Sequence, residues 1–225
     1  MNKMETIYQQ QANLYDELVT HEDYNNNLFK FLNDTIDFTN KTVCEFGVGT
    51  GRVSRIYINK VKNADLFDRS IHMLDKAKIN LSNHLNKITL TELNNQNIDQ
   101  IHKYYDISIE GWSFGHLISE NGDKIDYWSN KIINELKKIS KKIIIIESMG
   151  TNIDKPFPPN ASLESFYKRL KGNGFKDYII STDYKFENTE QAQYILGSFF
   201  GEKMKEEIRK NRLVTIKEFT GIWIL

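Results

Sequence analysis

A chain of 225 residues that is 40% hydrophobic can bury a sizeable core, as one large domain or two small ones. Its 30 basic and 30 acidic residues leave a formal net charge of +0, which removes any global attraction to nucleic acid or to an anionic membrane. A single cysteine, Cys44, excludes an intrachain disulfide and a Cys-rich metal site, and no apolar run approaches the ~18 residues that would span a bilayer.

The first ten residues, M-N-K-M-E-T-I-Y-Q-Q, hold no apolar leader core, so a cytoplasmic protein is expected. Thr6 to Leu18 places Ile7, Gln11, Leu14, Tyr15 and Leu18 at helical spacing, and Asn27 to Ile36 repeats the pattern, so residues 1–40 are read as a helical cap. The apolar strand Thr42–Phe46 then runs into Gly47, Gly49 and Gly51 at alternate positions, before a short helix over Arg52–Asn59. Glycine permits positive φ and a close approach of backbone to ligand, and the free N–H groups of a helix start suit a nucleotide-like cofactor. The spacing is neither the G-x-G-x-x-G of dinucleotide folds nor a P-loop.

A second strand, Ala64–Asp68, ends in an acid 17 residues beyond Gly51, near the ~20-residue offset at which Rossmann-like folds set a carboxylate on ribose hydroxyls. Ser70 has the residue type of an N-cap for the helix that follows. A third strand, Ile88–Leu93, ends in Asn94-Asn95, and a fourth, Tyr105–Glu110, opens onto the aromatic and glycine-rich loop Gly111–Leu117. After a helix over Lys124–Ile139, the fifth strand Lys142–Glu147 has the continuous apolar core of a strand buried on both faces. All three prolines, Pro156, Pro158 and Pro159, stiffen the loop after it, near the expected mouth of the site. A helix over Ser162–Lys171, a sixth strand over Phe175–Tyr184, a long helical segment over Glu190–Lys210 and a last strand over Phe219–Leu225 complete the chain.

Three of these stretches, E-x-G-x-G-x-G at Glu45–Gly51, D-R-S-I-H-M-L-D-K-A at Asp68–Ala77 and Asp106–Gly111, which starts with the acid of the Y-D pair, resemble motifs of the class I S-adenosylmethionine-dependent methyltransferases of small-molecule type. The resemblance runs from about Lys41 to the C-terminus and implies an α/β, Rossmann-like sheet of seven mostly parallel strands. Its order would be 3-2-1-4-5-7-6, with the last strand antiparallel and helices on both faces. It further implies one domain over 1–225, with a cofactor-binding half over 41–150 and a substrate-side half over 151–225 that carries a helical insertion at about 189–210.

The implied cofactor is S-adenosylmethionine, with S-adenosylhomocysteine as product. Candidate contacts are Glu45, Gly47, Gly49, Gly51 and Arg52 at the turn, Asp68 and Arg69 at the ribose, and Met73 with Asn94 or Asn95 at the adenine. Glu110, Gly111 and Trp112 would line the methyl side. The asparagines stand where the family has Gly-Asp-Ala, so an uncharged amide oxygen would replace the acid. The segment Y-x-x-x-A-x-x-Y-D, Tyr8 to Asp16, resembles the helix that closes over the cofactor, which adds Tyr8 and Tyr15.

Methyl transfer mainly requires in-line alignment. His116 is the candidate general base, with His21, Asp23 and Tyr8 as alternatives. The acceptor is expected to be a small molecule enclosed by the N-terminal helix, the Trp112 loop and the Glu190–Lys210 segment. The N-P-P-Y signature and a basic extension are both missing, so no nucleic-acid partner is expected, nor a membrane or a metal; the chain would act as a monomer or homodimer. Two other functions fit the same turn: a non-catalytic cofactor-binding scaffold, and a nicotinamide-dependent oxidoreductase, which the glycine spacing and the lack of a Tyr-x-x-x-Lys pair oppose.

Overall fold

Strands that read as continuous apolar runs occupy the centre of the molecule. In the computed structural model, which describes residues 12–225, β1 (Thr42–Phe46), β2 (Asn63–Asp68), β3 (Ile88–Glu92), β4 (Tyr105–Gly111) and β5 (Ser140–Thr151) pair in parallel. The last strand, β9 (Glu218–Ile224), lies between β5 and β6 (Lys176–Ser181) and is antiparallel to both. The sheet order β3-β2-β1-β4-β5-β9-β6 is the expected 3-2-1-4-5-7-6, because β7 (Tyr184–Lys185) and β8 (Thr215–Ile216) form a separate small ribbon.

Side chains alternate across a strand, so each central strand feeds two cores. Phe46, Ile143 and Ile145 join the core covered by α5 (Phe114–Glu120), α6 (Ile125–Ile139) and α7 (Ala161–Gly172). Val43, Ile144 and Ile146 join the core beneath α2 (Asn27–Thr35), α3 (Ser54–Tyr57) and α4 (Ile71–Asn80). A third core forms where the cap helix α1 (Ala12–His21) meets α8 (Thr189–Phe200), α9 (Glu202–Asn211) and the β7–β8 ribbon, around Leu18, Tyr184, Ile195 and Ile208.

Several elements differ from the sequence reading. The segment expected as one helix over Glu190–Lys210 is two, broken at Gly201, whose φ is 88°. The sixth strand leaves the sheet at Ser181, and Tyr184 instead pairs with Ile216 in the ribbon. The helix after the glycine turn is a single turn, and the Gly111–Leu117 loop becomes helical at Phe114. Asp106, from the Y-D pair, sits at the far end of β4, where Oδ2 accepts from the Thr42 amide at 2.8 Å and the Thr42 hydroxyl at 2.9 Å. Its role is to register β4 on β1. No helix among the described residues is long and apolar enough to cross a membrane.

Glu45 is 1% exposed, and its Oε2 accepts from Ser54 Oγ at 2.6 Å and Tyr57 Oη at 2.5 Å. Burial pushes its carboxyl up to about 7 against the lowering effect of the two hydroxyls. A folded-state pKa raised above the unfolded one gives stability that is complete below the unfolded value and lost as pH rises through the folded one. At ~1.4 kcal/mol per pH unit for one proton, thermal denaturation should show stability falling between pH 4.5 and about 7. Glu45→Gln, which keeps an acceptor for both hydroxyls, should flatten that slope; a melting temperature that rises over the interval would refute the assignment.

Candidate active site

The glycine turn crosses the C-terminal end of β1 with Gly47, Gly49 and Gly51 at φ values of 69°, 54° and 90°, a region that side chains with a Cβ seldom enter. A Cβ on Gly47 would lie 2.2 Å from Ser113 Cβ, so the backbone approach there requires glycine. Gly49 lies beneath the cap, where a Cβ would meet the Tyr15 ring at 3.5 Å. Asp68, at the end of β2, accepts from the Gly49 amide at 2.8 Å and the Ser70 amide at 2.9 Å, one bond to each oxygen. Each oxygen retains a lone pair for a further donor. Ser70 caps α4 by accepting from the Met73 amide at 3.4 Å, and this directs Met73 into the same cleft.

The opposite wall comes from the segment between β4 and α5. Glu110 Oε1 accepts from the Ser113 amide, from Ser113 Oγ at 3.0 Å and from the Phe114 amide at 2.9 Å, which fixes the start of α5. Asn95 Nδ2 donates to Ser113 Oγ at 3.1 Å. Trp112 has a φ of 52°, unusual for a bulky residue, and its ring is covered by the Arg52 guanidinium at 4.1 Å. Arg69 and Glu120 form an ion pair at 3.3 Å across the cleft.

The cleft brings together Tyr15, Gly47, Gly49, Asp68, Arg69, Met73, Asn94, Asn95, Gly111, Trp112 and His116. Four sequence candidates stand behind it. Glu45 is turned toward Ser54 and Tyr57, Gly51 packs against Leu81, Glu110 supports the Ser113 backbone, and Arg52 is paired with Glu22 at 2.8 Å. Tyr8 lies outside the described residues. Of the alternative bases, His21 bonds through Nδ1 to the Lys185 carbonyl at 2.9 Å, and Asp23 accepts from the Asn27 and Leu28 amides at 2.8 and 2.9 Å. Neither lines the cleft. His116 does, and burial lowers its pKa, which keeps the imidazole neutral near pH 7.

A second cavity of about 730 Å³ lies on the other side of Trp112 and His116, which line both spaces. Its walls are the end of β5 from Glu147 to Thr151, the proline loop, Leu163 and Phe200. The helical insertion contributes only Phe200 to this wall, and otherwise packs on the cap through contacts such as Tyr15 against Phe199 at 6.3 Å. Sequence reasoning missed Ser113, Gln96, Leu117 and Glu120 in the cleft and Glu147 in the cavity. Glu147 was detectable as the one charge closing an all-isoleucine strand face. No group of His, Cys, Asp or Glu among the described residues could hold a metal ion.

No family model and no curated protein matches the sequence. Solved structures match the fold. Magnesium protoporphyrin IX methyltransferase from Synechocystis PCC 6803, with bound SAM, is 13% identical over 99% of this chain and 97% of its own, with a TM-score of 0.55. The complex of DhpI with SAM and HEP is 11% identical over 79% of this chain and 90% of its own, with a TM-score of 0.57. A Pyrococcus horikoshii protein described as a candidate RNA methyltransferase is 14% identical over 88% of this chain and 81% of its own, with a TM-score of 0.55. With the same strand order and a glycine turn at the end of the first strand, the chain has the fold of the class I S-adenosylmethionine-dependent methyltransferases.

Proposed function

We propose that this protein binds S-adenosylmethionine in the cleft beside the glycine turn and transfers its methyl group to a small molecule held in the adjoining cavity. The observation that carries the reading is Asp68, a carboxylate at the end of β2 that lines the cleft with acceptor capacity left on both oxygens. Two vicinal ribose hydroxyls donate to such a group. The turn suits a cradle as well, since Gly47 and Gly49 line the cleft without a side chain of their own.

When bound, the cofactor supplies an electrophilic methyl on a sulfonium leaving group. The side chains hold and orient. Met73 would pack against the adenine, and the Asn95 or Asn94 amide oxygen would accept from its amino group without charge, since all three line the cleft. Trp112 and His116, which border both spaces, align an acceptor with the donor, and this orientation is the main catalytic contribution. Neutral His116 accepts a proton from an O–H or N–H nucleophile. A formal net charge of +0 and a side cavity of small-molecule size support a small acceptor over RNA. The asparagines at 94 and 95 favour one second reading, a scaffold that binds cofactor without turnover.

Calorimetric titration with S-adenosylmethionine, S-adenosylhomocysteine and NAD in parallel tests the assignment. Micromolar binding of the first two and none of NAD is expected, and silence with both sulfur cofactors would end the methyl-transfer reading. Asp68→Ala should weaken S-adenosylmethionine binding by about 1.5–3 kcal/mol, the usual worth of hydrogen bonds to a charged group. Unchanged affinity in a folded variant would remove Asp68 from the site. Gly47→Ala should lower the melting temperature and abolish binding together, because its Cβ meets Ser113 at 2.2 Å in a left-handed backbone; a variant that binds normally would show that the turn is not the cradle.

A further inference from the structure

At the C-terminal ends of the adjacent strands β4 and β5, Glu110 and Glu147 are 1% and 4% exposed, and their carboxyls are close enough that Glu110 raises the pKa of Glu147, while Glu110 Oε2 is buried without a hydrogen-bond partner among the described residues. Glu110 Oε1 has three donors, the Ser113 amide, the Ser113 hydroxyl and the Phe114 amide, whereas Glu147 has one, the Gly115 amide at 2.5 Å. Glu110 is therefore the first of the two to ionise, although burial raises its carboxyl to about 7 and that of Glu147 well above the ordinary carboxylate range. Once Glu110 ionises, the pair carries a negative charge away from water.

No lysine or arginine among the described residues answers it: none forms an ion pair with either glutamate, Arg52 is engaged by Glu22, and Arg69 by Glu120. A buried charge without a partner is costly, which is why burial raises both carboxyls here, and a cation that reached them would relieve that cost. Glu147 faces the second cavity, whose wall also carries Trp112, Phe157 and Phe200. Lys155 belongs to the same wall but is exposed and pairs with neither acid.

We propose that the second cavity takes an organic cation, an apolar body that bears a protonated amine, amidine or guanidine whose N–H groups bond to Glu147. Arrival of the cation lets both carboxyls ionise, and the aromatic walls add cation–π attraction to the apolar contact. A carboxylate- or phosphate-bearing ligand is repelled by the same pair. The inference rests on the acceptor reading of this cavity and names the acceptor's chemical class, but binding of the cation can be measured without the cofactor.

Calorimetric titration of the full chain with 2-phenylethylamine, 2-phenylethanol and 3-phenylpropionate at millimolar concentration, each with and without S-adenosylhomocysteine, varies the charge on nearly one apolar body. The amine should bind at least tenfold more tightly than the alcohol, and the carboxylate not at all. Glu147→Gln, whose amide can donate to Glu110, should reduce the amine to the level of the alcohol. Ser119→Lys, at an exposed position on the cavity rim, should weaken the amine as well without threatening the core. The proposal is overturned by an alcohol that binds as well as the amine, by binding of the carboxylate, by no binding of the amine, or by undiminished amine binding in folded Glu147→Gln. Amine binding without any response to sulfur cofactors would sink the methyl-transfer reading and leave the cation site standing.

Discussion

The C-terminal edge of the sheet depends on the two bonds that Asp68 accepts from backbone amides. By taking the Gly49 and Ser70 N–H groups at 2.8 and 2.9 Å, one carboxylate at the end of β2 ties the glycine turn of β1 to the first turn of α4. The three glycines bring almost no side-chain contact of their own, so packing of the turn falls to Val48, which is buried in the core beneath α2, α3 and α4. Burial raises the Asp68 pKa while the Ser70 and Gly49 amides act to lower it, so the backbone dipoles offset part of the penalty of burying the anion. The cap adds a second tether from above, where Asp16 accepts from Asn80 at 3.0 Å and Glu22 pairs with Arg52 at 2.8 Å. The cleft is held from below by the sheet and from above by the cap, through different residues.

The frame was legible in the sequence because parallel strands buried on both faces must be apolar throughout, as in Ile143–Ile146. Element ends were not. The run Phe175–Tyr184 looks uniform as a sequence, yet Thr182 Oγ1 is 2.7 Å from Thr220 Oγ1, and beyond that contact the chain turns away to bury Tyr184 beneath the cap. Gly201 was visible in the helical segment, but only its positive φ shows that it ends one helix and starts another.

Site residues divided along similar lines. Those whose backbone touches the cleft, Gly47 and Gly49, follow from residue type alone. For those that act through a side chain, direction matters as much as position. Glu45 alternates with Cys44 and Phe46, so it points to the opposite face, toward Ser54 and Tyr57, although its backbone runs beside the turn. Glu147 follows Ile143 and Ile145 at every second residue and faces the core under α5 and α7, where Glu110 meets it from the next strand. That meeting is a property of sheet register, which no single strand reveals.

Trp112 and His116 are the partition between two compartments, and this limits how the chain can change its ligand preferences over evolutionary time. An altered side chain at either position reshapes both spaces at once, and at Trp112 it must also accept a left-handed backbone under the Arg52 guanidinium. Ile153, Phe157 and Pro158 touch the second cavity and not the cleft, on a loop that the Phe157 amide ties to the Met149 carbonyl of β5 at 2.7 Å. Diversification among descendants of this chain would therefore collect in that proline loop, with the partition left intact.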